Sequence, residues 1–133
     1  MIDTAKALAI VGCLLLAACG QQDARDSAPV KSGDSARATP PPAFAVCASC
    51  HSISPGRHGA GPSLAGVWGA KAGSRPGYGY SPALQRSGVV WNAQTLDRWL
   101  QGPMQMVPGT RMVMGLPNPE ARQAVIAYLQ QLP

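Results

Sequence analysis

With 133 residues, 46% of them hydrophobic but only 5% aromatic, this chain has material for one small domain, rich in glycine (15) and proline (13). Its formal charge is +5, yet no nucleic-acid reading motif accompanies that charge, so nucleic acid is excluded as a partner. No internal repeat is visible.

In chain order, the first element is an apolar run from Ala7 to Ala18, preceded by a segment carrying Lys6 beside Asp3. Twelve residues are too few to span a bilayer as a mature helix, so residues 1–18 read as an export signal. The run ends Leu16-Ala17-Ala18-Cys19-Gly20, which resembles the lipobox of bacterial lipoproteins, with cleavage before Cys19 and a lipid on its sulfur. Ile10-Val11-Gly12-Cys13 is similar, but too little apolar sequence precedes it. The expected location is the periplasmic side of a bacterial membrane, held by lipid.

Residues 19–42 follow as a lipidated cysteine and a flexible linker ending in Pro40-Pro41-Pro42. Asp23, Asp26 and Asp34 cancel Arg25, Lys31 and Arg37, so the linker has no net charge to attract a partner. From Gly20 to Pro42 its 23 residues reach about 75 Å when stretched. Residues 43–133 remain as the folded domain.

A first helix is expected from about Pro42 into Cys47-Ala48-Ser49-Cys50-His51, with Phe44 packing inward. C-x-x-C-H is the attachment signature of c-type haem. On a helical turn the reactive positions i, i+3 and i+4 project from one face, where one flat macrocycle can meet two sulfurs and an imidazole. Cys47 and Cys50 would form thioethers and His51 would take an axial position on iron. A thioredoxin-like C-x-x-C requires a preceding strand and a βαβ pattern, neither of which is present. A zinc site from Cys47, Cys50, His51 and His58 lacks the second half of the paired ligand spacing. With Cys13 removed and Cys19 acylated, no thiol remains for a disulfide in an oxidising compartment.

Ser52 to Trp91 is punctuated by Gly and Pro without sustained alternation, and reads as loops with a short helix around Ser81 to Ser87. A second main helix begins at Asn92 as N-cap, carries Leu96, Trp99 and Leu100 on one face, and stops at Gly102-Pro103. A third has Asn118 as cap, Pro119 at its first position and an apolar stripe of Ala121, Val125, Tyr128 and Leu132.

Between these helices lie Met104, Met106, Met112 and Met114. Pro108-Gly109 suits the middle of a type II turn, and Met112 stands 61 residues beyond His51, enough chain to wrap a cofactor. Met112 is therefore the expected sixth ligand, while Met104, Met106 and Met114 read as gap-filling core residues. His58 follows His51 too closely to reach the other face of the ring.

These segments together resemble class I cytochrome c of the mitochondrial-like, bacterial kind, over nearly all of Phe44 to Leu132. The resemblance is carried by C-A-S-C-H, Gly61-Pro62-Ser63-Leu64 with Gly66 and Gly69, Gly73-Ser74-Arg75-Pro76-Gly77-Tyr78, Tyr80-Ser81-Pro82-Ala83-Leu84, Trp91, Thr95-Leu96, Pro108-Gly109-Thr110-Arg111-Met112 and Ile126-Ala127-Tyr128-Leu129. It implies an all-α fold of three main helices and long Gly/Pro-rich loops around one covalent haem c. It also implies that the Pro62 carbonyl accepts the second N–H of His51, that Tyr80 and Trp91 bond one propionate, that Thr110 lies near the other, and that Phe44 meets Tyr128 where the first and last helices cross. Three departures concern the site. Ala70 stands where the family often carries an arginine near a propionate, and Trp99 replaces a tyrosine whose hydroxyl touches the ligand sulfur. Met114 stands where an aromatic usually lies at the haem edge.

The implied activity is one-electron transfer, not catalysis, by a monomer. Within the domain Arg57, Lys71, Arg75, Arg86, Arg98, Arg111 and Arg122 outnumber Asp97 and Glu120 by seven to two, which predicts a basic rim that steers redox proteins with acidic docking faces. The rival functions are a haem subunit of a larger dehydrogenase or oxidase, and a haem peroxidase or gas-binding protein whose Met112 is labile.

Overall fold

Local capping chemistry sets most of the helices. The structure, a computed structural model, describes residues 39–133; the expected export signal with Cys13, the expected lipid site Cys19 and the linker before Thr39 lie outside the described residues. Helix α1 is Phe44–Ala48, shorter than the element expected from Pro42. The Pro41 and Pro42 carbonyls accept the N–H groups of Phe44 and Ala45 at 2.8 and 3.2 Å, so the chain enters through a turn. At the other end Cys50 and His51 both donate to the Cys47 carbonyl, at 3.1 and 2.9 Å. The three reactive residues thus ride one tightened turn, with only Cys47 inside the helix proper.

Helix α2, Pro82–Arg86, starts with the Ser81 hydroxyl accepting the Leu84 N–H at 3.3 Å. Helix α3, Ala93–Gln101, is capped reciprocally. Asn92 Oδ1 accepts from Thr95 N and Thr95 Oγ1 accepts from Asn92 N, both at 2.9 Å, satisfying two orphan donors for about 1 kcal/mol. Gly102-Pro103 does end α3, but Pro103 also opens a further turn, α4, Pro103–Met106, which the sequence reading took only as a stop. Helix α5, Pro119–Leu129, is capped by Asn118, whose Oδ1 accepts from Ala121 N at 2.7 Å.

Helix α3 packs against α4 and α5, burying Leu96, Trp99 and Leu100 against Val125, Ile126 and Leu129. Phe44 meets Tyr128 edge to face with centroids 4.7 Å apart, tying α1 to α5; truncating such a buried ring costs about 3–5 kcal/mol. The stripe expected on α5 widens to include Ile126 and Leu129, while Ala121 is only half-buried.

Ser52 to Trp91 is irregular apart from α2, with one regular pairing that the sequence did not reveal. Lys71 and Val90 form an antiparallel bridge, flanked by Ala72 N to Val89 O at 2.8 Å and Trp91 N to Ala70 O at 2.9 Å. It is too short to count as a strand, and the fold of the described residues is all-α. None of the described helices is long and apolar enough to cross a membrane.

Candidate functional site

One cleft of about 340 Å³ collects the residues singled out above: Cys47, Cys50 and His51 from the end of α1, Pro62 from the next loop, Tyr80 and Trp91 flanking α2, Trp99 from α3, and Thr110 and Met112 from the loop after α4. Its size falls among ordinary ligand pockets. The remaining lining is largely apolar, from Leu64, Val67, Leu84, Leu96, Leu100 and Val125 among others.

His51 is oriented by its surroundings. Its Nδ1 lies 2.7 Å from the Pro62 carbonyl, which fixes Nδ1 as the protonated nitrogen and leaves Nε2 to accept a metal. Gly61 makes this approach possible: a Cβ there would run into the imidazole ring. The loop is held by Gly61 N to Cys50 O at 2.9 Å and Leu64 N to Ser52 O at 2.8 Å. His58 does different work. Its Nδ1 accepts the Ser63 N–H and its Nε2 donates to the Pro76 carbonyl, both at 3.0 Å, so this imidazole laces two loops together.

Cys47 and Cys50 are free thiols, the first half-buried and the second exposed. Burial pushes the Cys47 thiol pKa up, with a backbone hydrogen bond pulling it partly back.

The loop carrying Met112 turns at Val107–Thr110, where Thr110 N donates to Val107 O at 3.1 Å and Gly109 adopts φ +89°, the left-handed conformation a type II turn needs at that position. Leu116 N bonds the Leu100 carbonyl at 2.6 Å and ends the excursion. Met112 is half-buried. Two of its neighbours correct the sequence reading: Met104 and Met114 are 52% and 57% exposed, so neither fills a core gap, and Met114 lines the cleft. Met106 does pack against the core.

Aromatic edges brace the cleft, Trp91 on Trp99 at 5.2 Å and Tyr78 on Tyr80 at 4.8 Å between centroids. Burial raises the Tyr80 phenol pKa, with the backbone N–H and guanidinium of Arg75 pulling it partly back.

Two arginines counted toward the basic rim are placed elsewhere. Arg122 is 8% exposed. Its Nε donates to Asp97 Oδ1 at 2.8 Å and its Nη1 to the Leu116 and Pro117 carbonyls at 3.0 and 2.6 Å, so it binds the methionine loop to α3 and α5. Arg75 is half-buried and also lines the cleft. Arg57, Lys71, Arg86, Arg98 and Arg111 remain exposed, and Lys71 and Arg111 reach the cleft. Charge counting could not detect either burial, because a lone arginine in sequence carries no sign of its partners.

The donor set suits a flat cofactor held covalently: two free thiols, an imidazole with one nitrogen committed, a thioether, and an apolar wall to exclude water. A metal ion alone is not suited. Among the described residues no group of three or more His, Cys, Asp or Glu is arranged to hold one, and both ring nitrogens of His58 are engaged by Ser63 and Pro76.

The comparisons agree with that chemistry. The profile of the Cytochrome c family matches residues 42–133. Cytochrome c2 iso-2 of Magnetospirillum fulvum is 48% identical over 93 residues, 69% of this chain and 97% of that protein. Cytochrome c2 of Rhodomicrobium vannielii is 49% identical over 88 residues, 65% of this chain and 70% of that protein. The solved structure of cytochrome cH from Methylobacterium extorquens superposes with a TM-score of 0.62 at 46% identity, covering 66% of this chain and 90% of that one.

Proposed function

The chain belongs to the cytochrome c family, and on that premise we propose that it is a lipid-tethered carrier passing single electrons between redox proteins on the periplasmic side of a bacterial membrane. It is a monohaem electron carrier, and its haem c is bound through Cys47 and Cys50. When bound, that group supplies an iron that shuttles between two oxidation states.

The protein's own residues supply the rest. His51 donates its Nδ1–H to Pro62, which strengthens Nε2 as the proximal ligand, and Met112 provides the second. A thioether in that role favours ferrous iron and raises the potential relative to a second imidazole. Tyr80, Trp91 and Thr110 offer hydrogen-bond donors to the cofactor's carboxylates, and Trp99 packs beside the ligand. With His51 and Met112 both given to the metal, no coordination site would be left open to small oxidants, which favours carriage over peroxidase or gas-binding chemistry. Lys71 and Arg111, exposed beside the cleft, suit brief docking on acidic faces. The Cys19 lipobox supports anchorage, and the linker gives the domain reach on its membrane.

The observation that carries the proposal is the meeting of Cys47, Cys50, an oriented His51 and Met112 around one apolar cleft. The test is the mass and haemochrome spectrum of protein taken from membranes, followed by redox titration. One haem, acyl chains and a reversible one-electron wave with an iron–methionine band in the ferric form are expected. Colourless protein would overturn the reading. Carbon monoxide binding by the reduced form at neutral pH, without that band, would move the protein to the gas-binding class, and unacylated mature protein would remove the anchor. Co-purification with a dehydrogenase or oxidase in mild detergent would make it a subunit rather than a free shuttle.

A further inference from the structure

Arg75 is half-buried and carries an unmet donor. Its Nη2 donates to the Gly66 carbonyl, but its Nε is buried without any hydrogen-bond partner, alone in that respect among the buried side-chain nitrogen and oxygen atoms of the described residues. Taking a guanidinium even partly out of water is costly unless an anion and further acceptors compensate it. No described carboxylate does so, since the ion pair among the described residues is Arg122 with Asp97. Arg75 lines the cleft, and no aspartate or glutamate lines it. On the cleft side of Arg75, an anion can come only from the occupant.

Position 70 sharpens the point. Ala70 lines the same cleft and brings no charge, at the position where related proteins often place an arginine. Arg75 lies five residues further along, beyond the Lys71–Val90 bridge, and Tyr80 stands beside it, under the influence of its backbone N–H and guanidinium.

We propose that the Arg75 guanidinium binds a haem carboxylate, supplying from a different stretch of backbone the positive charge that Ala70 lacks. The claim rests on the haem-carrier reading. The cation that Ala70 does not provide is then present at another address. The guanidinium then does two jobs, pinning the 66–75 loop through Gly66 and holding the cofactor's acid ionised.

The test replaces Arg75 in the haem-loaded protein. Arg75→Gln keeps a donor but removes the charge. It is expected to lower the ferrous-to-ferric ratio at a fixed ambient potential by roughly tenfold, a downward shift of about 59 mV for one electron. Haem content and the iron–methionine band should be unchanged. Adding Ala70→Arg to that variant should restore the ratio, which a purely structural role for Arg75 would not permit. An unmoved potential, or no recovery on adding the second arginine, would overturn the proposal. If Arg75→Gln fails to retain haem, a crystal structure of the unaltered haem protein decides. A guanidinium nitrogen of Arg75 within hydrogen-bond distance of a haem carboxylate supports the proposal, and its absence there ends it. Protein that never acquires haem would sink the carrier reading itself, whereas coloured protein with an unmoved potential sinks only the role of Arg75.

Discussion

Arg122 and Asp97, 25 positions apart in the chain, meet at 2.8 Å and join α5 to α3. That hydrogen bond, helped by Gln101 and Gln123, holds the Asp97 carboxyl below its ordinary value of 3.8. A depressed carboxylate pKa contributes stability that is present above the unfolded value and is lost as pH falls through the folded one. Asp97→Asn should therefore lower the urea midpoint at pH 7, and the gap to the parent protein should close as pH falls below 3.8 and through the depressed folded value. Urea titrations at several pH values check this; a gap that stays constant into strong acid would show that the charge contributes nothing.

Gly61 makes a second prediction. Because a Cβ at that position would collide with the His51 imidazole, Gly61→Ala must either displace the ring from Pro62 or push the loop away. Haem bound per polypeptide, read by pyridine haemochrome, should fall several-fold, and the surviving holoprotein should show a weakened proximal ligand. Gly56→Ala, where a Cβ meets open space, makes a control away from the imidazole and should leave haem content near normal.

For Met112, replacement by alanine should abolish the iron–methionine band and lower the ferrous-to-ferric ratio at fixed potential by about tenfold or more. The reduced variant should bind carbon monoxide. Met114→Ala, which removes an exposed side chain, should leave band and potential near those of the parent. Equal effects from the two substitutions would reassign the ligand.

Lys71 and Arg111 are exposed beside the cleft. Reversing both charges should slow reduction by ferrocyanide several-fold at low salt, and the deficit should shrink at high ionic strength, where screening removes steering. Stopped-flow rates across a salt series measure it. A deficit that is independent of salt would point to altered structure instead of steering.

The parts that were legible in sequence are those whose signals are local. Asn92 and Asn118 announce α3 and α5 through capping chemistry, Pro108-Gly109 announces the turn before Met112, and the C-x-x-C-H spacing announces the cofactor. What stayed hidden depends on distant partners. Nothing near Arg122 in sequence points to Asp97, Leu116 or Pro117, so it was counted as surface charge. The Lys71–Val90 pairing consists of one bridge between loops and leaves no alternating pattern. Helix α4 was concealed because Pro103 serves as both terminator and initiator. Met104 and Met114 were assigned to the interior by composition alone, and composition does not say which way a side chain faces.

The Met112 loop is fastened at both ends, by the Val107–Thr110 turn on one side and by Leu116 and Arg122 on the other. Between those moorings runs a bight of five residues, Arg111 to Gly115. If the sulfur lets go of the metal, the slack available is only that bight, so release is a local eversion that need not unravel the helices. Exchange of one thioether for another, or for an incoming molecule, then becomes an event confined to a few bonds and readily reversed.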